Sequence, residues 1–204
     1  MLVAAFGSER TAILSLEQWS HQDHFDTSAA YQHFRRRASP VIWHKQIWCP
    51  AALPKFSFTG WLAARGRLLT RDRLHGQVTS LDCLLCGTSP ETHAHLFFGC
   101  PFTSVVWDHV KHWCGIRRAM TTYASALKWL KKDFSGPSWK DQTRRLAFLC
   151  TVYYIWETRN SKLFRLSPVD PLLLVRRIKT SVYRIMFSLY PNVLHQFECL
   201  ALGS

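Results

Sequence analysis

Acidic side chains are scarce in this chain. Thirteen Asp and Glu stand against 26 Lys and Arg in 204 residues, and no two Asp are adjacent. Polymerase and ribonuclease H chemistry needs carboxylates that hold two metal ions, and those ligands are missing here. No catalytic residue is assigned, and the chain is read as a non-enzyme. Charged residues make up only 19% of it and hydrophobic ones 48%, which argues against an extended disordered tail and supplies enough apolar surface for a core. Long apolar runs are lacking as well. The longest without a charge, Leu146 to Trp156, is too short to cross a bilayer, so no membrane partner is expected. The opening MLVAAFGSER has no basic segment before its short apolar run and does not read as a secretory signal. Cysteines at 49, 83, 86, 100, 114, 150 and 199 form an odd set, which argues against a disulfide framework and for a reducing compartment, nucleus or cytoplasm.

What is plentiful is positive charge and aromatic surface. A net charge of +13 and an aromatic share of 14% favour a polyanionic partner, RNA or DNA. The basic residues are spread along the chain, so the same faces would also suit solvent or an acidic protein partner.

The densest motif is CLLCGTSPETHAHLFFGC, from Cys83 to Cys100. Two cysteines separated by two residues present both sulfurs on one tight turn, with Gly87 supplying the turn. GTSPETHA reads as a loop that carries the chain to a second half-site, where His95 and Cys100 complete a four-donor set for zinc. His93 lies two residues earlier and is an alternative imidazole. Pro101 opens a helix directly after Cys100, so free backbone amides and the helix dipole would favour its thiolate. Four protein donors leave no open position, which predicts one structural zinc ion. Leu96, Phe97 and Phe98 read as the small core beside it.

Elsewhere the pattern predicts a mainly α protein. Leu14, Leu16 and Trp19 offer a short strand, and Thr27 or Ser28 caps a helix that ends in the Arg35–Arg37 run. Ile42, Trp43, Ile47 and Trp48 read as a short buried helix. Pro54 opens another, with Phe58, Trp61 and Leu62 sharing a face and Gly66 ending it. Thr70 caps a further short helix that Gly76 stops. Arg65, Arg67, Arg71 and Arg73 gather at this corner, the first candidate for phosphate contacts. After Gly136-Pro137, Ser138 and Asp141 start a long helix from Trp139 to about Arg165. Its inward stripe is traced by Leu146, Leu149, Cys150, Tyr153, Trp156, Asn160, Leu163 and Phe164, with Arg144, Arg145 and Arg159 outside it. Ser167-Pro168 ends that helix. Asp170 and Pro171 open a second, to about Tyr190, and the two are expected to pair as an antiparallel hairpin. The resulting division is an N-terminal arm with a short helix (1–39), a zinc-binding domain with a Cys-Cys-His-Cys stapled loop (40–115) and a C-terminal helical extension (116–204).

The order Trp48, Pro54, Lys55, Phe58, Trp61, Leu68, Thr70, Arg73 and Leu74, then CLLC, ETHAHLFFGC and Trp107, resembles the zinc-binding domain that follows the reverse transcriptase in plant LINE-type (non-LTR) retrotransposon proteins. FDTSAAYQHF and VYYIWETRNSKLF resemble the segments on either side of it, so the likeness covers roughly residues 25 to 165. The resemblance implies Cys83, Cys86, His95 and Cys100 as the zinc ligands. It also implies a tail that holds RNA or target DNA near a polymerase, or a remnant of such a protein without present function.

Overall fold

The computed structural model describes residues 20–21, 24–35, 41–74, 76–165 and 169–193. The strand expected through Leu14 to Trp19, Arg36, Arg37, the Ser167-Pro168 stop and Cys199 lie outside the described residues. Contacts divide the chain into two units, residues 1–40 and 41–204. In the first, strands β1 (Ser20–His21) and β2 (His24–Phe25) pair antiparallel with Ser20 opposite Phe25, and α1 (Thr27–Phe34) follows. Its cap is Asp26, ahead of the expected Thr27 or Ser28. The Asp26 carboxylate accepts the Ala29 N–H at 2.9 Å and so satisfies one of the helix's orphan donors.

The second unit is helical. Its elements are α2 (His44–Ile47), α3 (Pro54–Ala64), α4 (Pro101–Trp113), α5 (Tyr123–Asp133), α6 (Trp139–Arg165) and α7 (Pro171–Leu189). Local chemistry sets most of these ends. Proline occupies the first turn of α3, α4 and α7, where no N–H is needed. The Ser138 hydroxyl accepts the Asp141 N–H at 3.1 Å at the start of α6, and the Asp170 carboxylate accepts the Leu172 N–H at 2.8 Å at the start of α7. Helix α5 was not expected from the sequence. It opens on a capping box in which Thr122 and Ser125 exchange hydrogen bonds, with Ser in the place usually taken by Glu or Gln.

Helix α6 is the hub, packed against α3, α4 and α7. Residues 145–152 are buried all the way round, as befits a helix with neighbours on several sides. The single inward stripe predicted for it is therefore too narrow. Arg145 and Arg159, placed on its surface by that stripe, are 6% and 2% exposed, whereas Phe164 is 78% exposed. Helix α7 runs along α6 with partners paired in opposite chain order. The Gln142 amide donates to the Tyr190 hydroxyl, the Tyr154 and Ser181 hydroxyls bond at 2.7 Å, and Arg177 pairs with Glu157.

Small residues let α3 approach α6 closely. A methyl group added at Gly60 would stand 2.7 Å from a Leu149 side-chain carbon. The buried face of α3 is accordingly Phe56, Ser57, Thr59, Gly60 and Ala63; of the expected face, Trp61 and Leu62 are half-buried against the core and Phe58 points outward. Phe58 is 53% exposed and stacks on Trp61 with ring centroids 5.7 Å apart. Trp48 also proves half exposed, because one turn of α2 can turn only Gln46 and Ile47 inward.

Rings from several elements meet at the centre. Phe148 lies 5.5 Å from Trp107 and 5.5 Å from Tyr123, whose hydroxyl donates to the Gly60 carbonyl at 3.1 Å. Burial without a charged partner pushes the Tyr123 phenol well above its ordinary value. Phe148→Ala should cost about 3–5 kcal/mol. Because one core joins α3, α4, α5 and α6, far- and near-ultraviolet circular dichroism should still melt together in that variant. Separate transitions would show two independent cores.

Candidate metal centre

The metal loop is closed by its own backbone. Asp82 and Pro90 form an isolated antiparallel bridge, with Cys83 N–H to Ser89 O and Glu91 N–H to Leu81 O both at 2.7 Å. Between them the chain turns at Gly87, whose φ of +71° is left-handed and whose N–H returns to the Cys83 carbonyl at 2.7 Å. A Cβ at Gly87 would meet nothing, so the glycine is required for its φ and not for space.

The second half-site depends on a wide turn. The Thr92 hydroxyl accepts the His95 N–H at 3.0 Å, and His95–Gly99 form a turn of π-helix that the Cys100 N–H closes onto the His95 carbonyl at 2.7 Å. In an α-helix, residues five apart would stand about 140° apart around the axis. The π turn brings His95 and Cys100 back toward one side. The Phe97 carbonyl inside it receives the Trp107 indole N–H at 2.6 Å, and Phe98 stacks on Trp107.

As a result, one donor atom from each of Cys83, Cys86, His95 and Cys100 lies within 4.8 Å of all the others. Cys83 Sγ and Cys100 Sγ are 3.9 Å apart, and Cys86 Sγ and His95 Nε2 are 3.3 Å apart. Sulfurs about 2.3 Å and a nitrogen about 2.0 Å from zinc would stand about 3.5–3.8 Å from one another at tetrahedral corners, so the donor set fits that ion. The Cys83 thiol donates to Cys100, which, with burial, pushes Cys83 up. The same bond pulls Cys100 down, helped by the backbone N–H groups of Thr103 and Phe102 in the first turn of α4. The Thr88 hydroxyl donates to Cys86 Sγ at 3.4 Å. His93 is elsewhere. Its ring packs 4.9 Å from Phe97 and 5.6 Å from Tyr123, and burial, then Arg73, lowers its pKa.

Beneath the donors lies a group that sequence reasoning missed. Glu91 is fully buried, and Oε1 accepts two N–H groups of Arg159 at 3.0 and 2.7 Å and the Arg71 N–H at 3.0 Å. Its Oε2 accepts the Leu84 N–H, inside the Cys83–Cys86 turn, at 3.3 Å. One carboxylate thus ties the first half-site to α6. The only signal was a glutamate inside the metal motif and an arginine 68 residues later, with nothing local to join them.

The arginine corner divides into two kinds of residue. Arg65, Arg67 and Arg73 are exposed. Arg71 is half-buried and donates to the Asp82 carbonyl at 2.9 Å, bracing the base of the metal loop. The short helix expected from Thr70 is a single 3-10 turn, Arg71–Arg73. The Thr70 hydroxyl bonds the Asp72 carboxylate and does not cap the backbone.

Glu91→Gln should cost about 3–5 kcal/mol in thermal unfolding, because it leaves the Arg159 guanidinium buried without its counter-charge. Zinc affinity, measured against a chromophoric chelator, should fall about 10- to 100-fold through loss of support to the Leu84 amide. Unchanged values for both would show that the carboxylate does not hold the loop.

Residues 25–107 match the family described as zinc-binding in reverse transcriptase. No curated protein and no solved structure showed significant similarity to the chain. The match spans the four-donor cluster and ends on Trp107, the residue that clasps the π turn. The match and the Cys83, Cys86, His95 and Cys100 cluster together support a reverse transcriptase zinc-binding domain within residues 25–107.

Proposed function

We propose that the chain binds nucleic acid and is braced by one structural zinc ion. It would be a helical tail like those that follow the reverse transcriptase in plant LINE-type retrotransposon proteins, without polymerase activity of its own. The observation that carries this reading is the four-donor cluster, whose loop is braced at Asp82 by Arg71, in a segment that also carries the exposed Arg65, Arg67 and Arg73. Three thiolates and an imidazole fill a tetrahedral shell, which leaves no position for a water or a substrate, so the ion's role is to hold the Cys83–Cys86 turn against the His95–Cys100 turn.

Around that brace, Arg65, Arg67 and Arg73 keep their guanidinium groups exposed. A net charge of +13 adds long-range attraction for a polyanion. Phosphate contacts from these arginines would position a strand without reading its sequence. Basic residues on the outer side of α7, Arg176 and Arg184, extend the exposed positive surface.

Purified protein should contain one equivalent of zinc, lost in both Cys83→Ser and His95→Ala. Zinc retained by the histidine variant would place the fourth ligand elsewhere. Labelled single-stranded RNA should be displaced by unlabelled nucleic acid. Changing Arg65, Arg67 and Arg73 together to Ala should flatten the dependence of log affinity on log salt by about two units, at about 0.7 per phosphate contact on a single strand. An unaltered slope and affinity would remove this corner as the binding surface. Preference for an acidic protein over RNA would favour a protein-interaction module.

A further inference from the structure

A second site lies away from the metal loop. Helix α2, the connection between α5 and α6, and the first turns of α6 enclose a cleft of about 330 Å³ whose walls include Lys45, Gln46, Trp48, Pro50, Pro137 and Arg145. None of its lining residues is acidic. Arg145 is 6% exposed, and its NH1 donates to the Phe134 and Gly136 carbonyls, which fixes the guanidinium at the cleft wall. No carboxylate pairs with it or with Lys45 among the described residues. The neighbouring Cys49 thiol is pushed up by burial, against the pull of Arg145, and supplies no counter-charge.

A buried guanidinium and an ammonium without a counter-ion favour an anion, phosphate above all. Trp48 is 47% exposed at this cleft, beside two prolines, and a bare indole next to an anion site is suited to a flat base. The volume falls at the lower end of the roughly 300–1,000 Å³ typical of small-molecule sites, which suits one nucleotide and not a dinucleotide.

We propose that this cleft binds a single nucleotide unit, its phosphate held between Lys45 and Arg145 and its base laid on Trp48. The arginines at 65, 67 and 73 take no part in it, so the site stands or falls separately from the strand-binding surface proposed above.

The test is calorimetric titration of the full zinc-loaded chain with adenosine monophosphate, adenosine and inorganic phosphate. The monophosphate should bind saturably at one site, with adenosine and phosphate each at least about tenfold weaker. Lys45→Ala should weaken the monophosphate about tenfold and leave adenosine unchanged. Trp48→Ala should weaken the monophosphate and adenosine about tenfold and leave phosphate unchanged. Both residues are exposed, so melting temperatures should match the wild type and separate loss of binding from loss of fold. Arg145 is left intact because it holds the end of α5. Absence of saturable binding at millimolar monophosphate, or wild-type affinity in both variants, overturns the proposal. Phosphate, or a short acidic peptide, binding as tightly as the monophosphate overturns the nucleotide assignment.

Discussion

The Glu91 carboxylate is the constraint on which the rest of the structure depends. It is fully buried, and an ionised carboxylate taken out of water costs several kcal/mol unless its oxygens are paired. Four N–H groups pay that cost, and they come from three separated parts of the chain. Arg159 belongs to α6, the Arg71 amide to the 3-10 turn, and the Leu84 amide to the cysteine turn. None of these can move without exposing the charge or orphaning an amide. The metal loop is thus registered against α6 by electrostatics before any metal bond is counted, which separates it from a free-standing knuckle whose only core is its ion.

The two half-sites reach the same point by different means. A left-handed glycine and a short β-bridge shape the Cys83–Cys86 turn, and the Glu91 carboxylate holds its Leu84 amide. The His95–Cys100 turn needs outside help, since a π turn has poorer hydrogen-bond geometry than an α turn. Trp107 gives it, holding the Phe97 carbonyl from α4 while its ring stacks on Phe98 and meets Phe148 of α6. Donor spacing, helix α4 and the aromatic core are therefore one arrangement. A change in the core at Phe148 reaches the metal through Trp107, and a change in the loop reaches α6 through Glu91.

What was legible in the sequence is what neighbouring residues decide. The cysteine spacing, Gly87 at the turn, the prolines that open α3, α4 and α7, and the Ser138 and Asp170 caps all act within a few residues, and the structure has each of them in place. The four donors were named from spacing and resemblance, and their atoms converge. What was not legible depends on neighbours remote in sequence. Phe58 shares a helical face with Trp61 and Leu62, but Gly60 and Ala63 give α3 the smaller and closer face against α6. Arg159 reads as a surface residue in any helical wheel until Glu91, 68 positions earlier, lies against it. Helix α5 carries no such signal, because its cap uses Ser125 where Glu or Gln is usual.

The same distinction alters what the net charge means. Composition alone treats 26 basic residues as one reservoir for a polyanion. In the folded chain Arg159 is paired to Glu91, Arg71 braces Asp82, and Arg145 ties down the end of α5. Those charges do architectural work, and two of the three are nearly inaccessible. The attraction that a strand would feel comes from the exposed remainder, which at the metal loop is Arg65, Arg67 and Arg73. Arg145 differs from Arg159, the other nearly inaccessible one, in having no carboxylate partner among the described residues. Its charge is fixed in place but not cancelled, which is why the cleft it lines can select an anion while Arg159, paired to Glu91, cannot.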